Sequence, residues 1–174
     1  LTEAVEGLRA RQEGRPARKE SPPVALDLPV SAFIPESYIH DLEARVALYQ
    51  RIGGIREFTE EDELRIEVED RFGELPPTVL ALLDLVRIRL AAVQARISSI
   101  RIEGGEIVLS AQEGASFASR LLPRLPGRVH VGHSQLRLAY GDLGSELLAT
   151  VEELLQLLGD PSFGQAMHAE IERL

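Results

Sequence analysis

Four carboxylates recur at helical spacing near the middle of the chain: Glu60, Glu63, Glu67 and Asp70. On one helix they form a single acidic stripe beside an apolar one. Paired carboxylates act as general acid and base when burial splits their pKa values. A whole stripe on an exposed face serves instead as a solvated surface or as a contact for a basic partner, and the spacing leaves both readings open. Charge placement sets the kind of partner. Residues 57–74 hold nine acids against Arg65 and Arg71, whereas residues 75–128 hold seven arginines against four acids. With a net charge of −9, the acidic stripe disfavours phosphate backbones and favours a basic protein surface.

The other residues with chemical potential lead to less. His130 and His133 are three apart, but on a strand and its turn they do not converge on one ion. With no cysteine in the chain and no acid adjacent, no metal site is expected. His40 and His168 fall on expected helices and read as surface or helix-end histidines. Gly132-His133-Ser134-Gln135 resembles a nucleophile elbow, yet the fifth position is Leu136 and an alternating strand follows where a helix is needed. A hydrolase built on Ser134 or His133 is therefore the weakest reading, and a hairpin turn the better one. A phosphate-binding loop needs a lysine after glycine, and the single lysine, Lys19, follows Arg18. No catalytic residue and no cofactor are expected in this chain. A nucleic-acid surface would have to use Arg87, Arg89, Arg96, Arg101, Arg120, Arg124 and Arg128, against an acidic total and few aromatics.

The elements that must position these residues follow from periodicity. Leu1, Val5 and Leu8 lie on one face of a short helix over residues 1–12, and residues 13–23 read as a Gly/Pro/Arg/Glu linker. Val24 to Val30 alternates as a half-buried strand. Pro35 opens a helix to about Ile52 with Ile39, Leu42, Val46 and Tyr49 as its buried stripe, stopped by Gly53-Gly54. The acidic helix starts with Thr59 as N-cap, buries Leu64, Val68 and Phe72, and ends at Gly73. Residues 78–97 form the central helix, with Val79, Leu82, Leu83, Val86, Leu90 and Val93 on a wide apolar face.

Hairpins then turn at Gly104-Gly105 and at Gly132-His133-Ser134, with a short helix over residues 115–122 between them. Ser145 caps a helix to Leu158, and Asp160-Pro161 starts a last one. The expected class is α+β: an antiparallel sheet built from hairpins, packed with several helices and helical at both ends. No apolar run reaches membrane-spanning length. The single methionine is Met167, so the chain is expected to be a piece of a longer one.

The segment Ile34-Pro35-x-x-Tyr38-Ile39-x-Asp41-x-x-x-Arg45-x-x-x-Tyr49-x-Arg51-Ile52, followed by Glu67-x-x-Asp70-Arg71-Phe72-Gly73-x-Leu75-Pro76, resembles the C-terminal domain of bacterial transcription-repair coupling factors. The likeness is specific over about residues 24–90 and weaker beyond.

It implies a parent that is a cytoplasmic, ATP-driven DNA translocase of transcription-coupled nucleotide-excision repair. Such a parent displaces stalled RNA polymerase and recruits the damage-recognition protein UvrA, with ATP, magnesium and DNA bound elsewhere in its chain. The resemblance implies that residues 1–12 are the tail of the translocase domain and residues 24–174 a non-catalytic regulatory domain. That domain would mask the N-terminal UvrA-binding module of the same chain and make no direct contact with nucleic acid or membrane. The alternative is a generic protein-interaction module without a masking role. Glu60, Glu63, Glu67 and Asp70 are the candidate contact residues. The signature residues Tyr38, Asp41, Arg45, Tyr49, Arg51, Arg71, Phe72 and Gly73 are either contacts or struts. Glu61 falls on the core-side face where the resemblance leads to an apolar residue, so the first turn of that helix is expected to be frayed or shifted.

Overall fold

The computed structural model describes residues 23–117, 129–139 and 146–159. The expected helix at residues 1–12, the linker up to residue 22, residues 118–122 of the short helix, the Ser145 cap and the helix after Asp160 lie outside the described residues.

The described residues form an α+β fold with five strands and four helices. The strands are β1 (Ala25–Asp27), β2 (Ile97–Glu103), β3 (Glu106–Ala111), β4 (Val129–Val131) and β5 (Gln135–Ala139), in the spatial order β1-β2-β3-β5-β4. The helices are α1 (Leu42–Gly54), α2 (Phe58–Phe72), α3 (Pro77–Gln94) and α4 (Leu147–Gly159). The β2–β3 turn needs two positive φ angles, and Gly104 (57°) and Gly105 (82°) supply them. Its register sets Glu103 opposite Glu106, a like-charge pair. Arg137 on β5 reaches both carboxylates, at 3.4 and 3.3 Å, and offsets that repulsion. The sheet is mostly antiparallel, as hairpins require. β1 alone runs parallel to β2, because α1, α2 and α3 intervene and make the link a crossover.

Two apolar cores share one helix. The sheet core gathers Ile100, Ile107, Leu109 and Leu136 under Val151 and Leu155 of α4. The helical core gathers Leu48, Ile52, Leu64 and Val68. α3 serves both, through Ile88, Ala91 and Ala92 on the sheet side and Val79, Leu83, Val86 and Leu90 on the helical side. Pro77 at its first position and Pro76 before it separate α3 from α2.

Four expectations need correction. The helix expected from Pro35 begins only at Leu42. Residues 36–38 form a turn, and the Asp41 carboxylate accepts the Glu43 and Ala44 N–H groups at 3.3 and 3.2 Å, which fixes the start. The face of α1 is also rotated: Leu48 and Ile52 are buried against the helical core, while Leu42, Val46 and Tyr49 are exposed. Helix α2 is capped by Glu57 and not by Thr59. Glu57 and Glu60 form a reciprocal capping box, so the helix starts two residues earlier than expected and its first turn is held by the cap and not frayed. The strand expected over residues 24–30 shortens to Ala25–Asp27.

Candidate protein-interaction surface

Most signature residues act as struts between the 31–41 segment, α1 and α2. The Tyr49 hydroxyl accepts the Ile34 N–H at 2.8 Å. Arg45 donates to the carbonyls of Ile39 (2.7 Å) and His40 (3.2 Å). The Tyr38 hydroxyl donates to the Gly73 carbonyl at 2.7 Å, and its ring lies 6.1 Å from that of Phe72. Arg71 stacks over Phe72 at 4.9 Å. Burial, and then the charge of Glu69, raise the Tyr38 pKa above the usual phenol value. Gly73 ends α2 with φ 89° and ψ −170°, a conformation that side chains disfavour. A Cβ there meets no atom within 4 Å, so the cost of adding one is conformational. Gly73→Ala is therefore expected to lower stability by about 1–2 kcal/mol in urea unfolding, with no loss of secondary structure.

The four candidate carboxylates divide by role. Glu60 closes the capping box, its Oε2 accepting the N–H groups of Arg56 (2.6 Å) and Glu57 (3.1 Å). Glu67 holds Arg51 of α1 in a two-point pair at 2.6 and 2.7 Å. The hydrogen bond from Arg51 holds the Glu67 carboxyl below the usual range. Whatever stability that pair gives is present above the ordinary glutamate pKa and is lost as pH falls through the lowered one. Both partners are about half exposed, which keeps the contribution small. Glu63 and Asp70 make no hydrogen bond or ion pair among the described residues and point outward. Between them on the same face stands Ile66, 68% exposed. Glu60, Glu63 and Glu67 line one open cleft with Arg51, Gly54, Ile55 and Leu64, and Asp70 lies beyond it.

Sequence reasoning missed a buried charge network. Glu61 is fully buried, and its carboxylate takes hydrogen bonds from Arg65 (2.9 Å) and Arg87 (2.7 Å). Arg65 also reaches Asp84, and Arg87 reaches Asp62 and Glu152, so the network ties α2, α3 and α4 together. The hydrogen bond to Glu61 and then that to Glu152 outweigh burial and raise the Arg87 pKa. The visible signal was Glu61 on a core-side position with Arg65 four residues on.

The arginines proposed for nucleic acid are partly committed elsewhere. Arg87 is neutralised by carboxylates, Arg101 pairs with Glu103 at 2.7 Å, and Arg89 donates to the Ile55 carbonyl. Arg96 joins α3 to β2 with φ 57°, and Arg120, Arg124 and Arg128 lie outside the described residues. The His133 ring lies 3.2 Å from Ser116 Oγ, and Ser134 sits in the hairpin turn with its carbonyl accepting the Ala111 N–H. His40 precedes α1 and His130 sits on β4; His168 lies outside the described residues. Among the described residues no three His, Asp or Glu side chains are placed to hold a metal, and no helix is long and apolar enough to cross a membrane.

Comparison with known proteins places this arrangement. The family model for the TRCF domain matches residues 28–120. The transcription-repair-coupling factor of Bacillus subtilis is 31% identical over 116 residues, covering 67% of this chain and 10% of that protein. The Escherichia coli protein of the same name is 32% identical over 106 residues, 61% of this chain and 9% of that one. The chain thus spans about a tenth of the length of these relatives. A crystal structure of the C-terminal domain of transcription-repair coupling factor shares the fold, with a TM-score of 0.70 over 83% of this chain and 96% of that chain, at 18% identity. This chain belongs to the TRCF domain family of transcription-repair coupling factors.

Proposed function

We propose that residues 24–174 are the non-catalytic regulatory domain of an ATP-driven DNA translocase and mask the UvrA-binding module at the amino-terminal end of the same polypeptide. UvrA and RNA polymerase are then reached only through the parent. Family membership supports this reading, and the outward face of α2 carries it. An exposed Ile66 stands with Glu63 one turn before it and Asp70 one turn after it. An apolar centre with an acidic rim fits a basic protein patch that has an apolar spot of its own. Glu60 and Glu67 support that face from within the domain, through the cap and through Arg51, and are secondary as contacts.

Reversing Glu63 and Asp70 to arginine in the full-length parent tests the surface. Two exposed pairs at about 0.7 kcal/mol each, within their usual range, are worth about 1.4 kcal/mol together, so UvrA affinity is expected to rise about tenfold. The single reversal of Glu43, on α1, serves as the control and is expected to change nothing. If the double variant binds UvrA as the parent does, the acidic face is a solvated surface.

A further inference from the structure

Two arginines stand out in this acidic chain because their charges face each other and not a carboxylate. Arg56 and Arg89 both donate to the Ile55 carbonyl, each at 2.9 Å, and Arg56 also caps the Gly53 carbonyl at 2.8 Å. Sharing one oxygen brings the two guanidinium groups close together. Arg51, Arg65, Arg87, Arg101 and Arg137 each have a carboxylate within ion-pair distance, whereas Arg56 and Arg89 have none among the described residues. Burial, and then the charge of Arg56, push the Arg89 pKa below the ordinary arginine value, so the repulsion is unrelieved. Among the described residues Arg89 spends one of its five N–H donors on the protein, which leaves capacity for a two-point contact.

We infer that Arg56 and Arg89 form a binding site for a single carboxylate presented by a protein partner. A carboxylate between the two heads relieves their repulsion and uses donors that a carbonyl does not. The surroundings disfavour a polyanion, whose many charges meet more of them than a single carboxylate does: Glu57 and Glu60 flank Arg56, and Glu63 lies along the cleft that Ile55 lines. The site does not depend on which module α2 contacts, because its evidence is confined to the α1–α2 junction and α3.

The test uses the 174-residue chain and follows arginine Nε–H resonances by NMR at constant ionic strength. Sodium acetate is the probe, with inorganic phosphate and a short DNA duplex as separate arms. Acetate is expected to shift the Arg56 and Arg89 signals saturably, with half-saturation about fivefold lower than at Arg45, which donates to two carbonyls and shares neither with another arginine among the described residues. Arg56→Gln, at an exposed position, is expected to leave the fold intact and abolish the saturable shift at Arg89. Arg89→Gln is expected to abolish it at Arg56. Signals at Arg89 that track those of Arg45, a shift that survives Arg56→Gln, or tighter response to DNA than to acetate each overturn the proposal.

Discussion

Glu61→Ala is expected to destabilise the domain by about 3 kcal/mol, the lower end of the cost of removing one partner from a buried charge pair. Glu61 has no exposed surface and accepts from both Arg65 and Arg87. Removing it leaves two guanidinium groups, each about a quarter exposed, without the acceptor that anchors them. Arg65 keeps Asp84, and Arg87 keeps Asp62 and Glu152, which holds the loss at the lower end of the range. Arg87 also stacks over Phe58 at 5.3 Å, at the first position of α2, so the loss is felt where the acidic face begins. Urea unfolding followed by circular dichroism reads the effect as a lower midpoint. Glu61→Leu is expected to cost less than Glu61→Ala, since it refills the space and leaves no cavity. A change under about 1 kcal/mol for the alanine variant contradicts the role given to this network.

Much of the fold was legible because particular residues admit few alternatives. Gly104-Gly105 could only be a tight hairpin turn between two alternating runs, and Gly73 before Pro76-Pro77 could only be a helix end. The central helix was legible from its wide apolar face, but that face covers the helical core alone, and the sheet-side residues Ile88, Ala91 and Ala92 were not read from it. The rotation of α1 was not legible, because the helix carries two apolar stripes. Leu42, Val46 and Tyr49 make one and Leu48 with Ile52 the other, and only packing on α2 and α3 decides between them. The parallel pairing of β1 was hidden for a similar reason: three helices separate it from β2, and no local pattern records where a crossover lands. In the candidate surface, the spacing of Glu60, Glu63, Glu67 and Asp70 showed a shared face. It did not show that Glu60 is spent on a cap or that Glu67 is held by an arginine sixteen residues away. The Glu61 network joins residues 26 and 65 positions apart, beyond anything periodicity reports.

The second expected effect concerns the parent protein and follows from the proposed masking. Several exposed ion pairs with an apolar centre give a contact with a dissociation constant of about 10 µM, since single pairs contribute only about 0.2–1 kcal/mol. Joined in one polypeptide, the two modules see each other at an effective concentration of about 1 mM. The closed form is then favoured about a hundredfold, or about 2.7 kcal/mol. That margin hides a binding surface at rest and yields when another event, such as engagement of polymerase, opposes it. Because the contact is electrostatic at its rim, added salt weakens it, and the closed fraction falls with ionic strength. A generic interaction module makes no such internal contact and leaves the parent unchanged when removed.

The most direct measurement is the affinity of the full-length parent for UvrA with and without residues 24–174. Masking predicts that removal tightens binding about a hundredfold in low salt. Equal affinities for the two forms would contradict it.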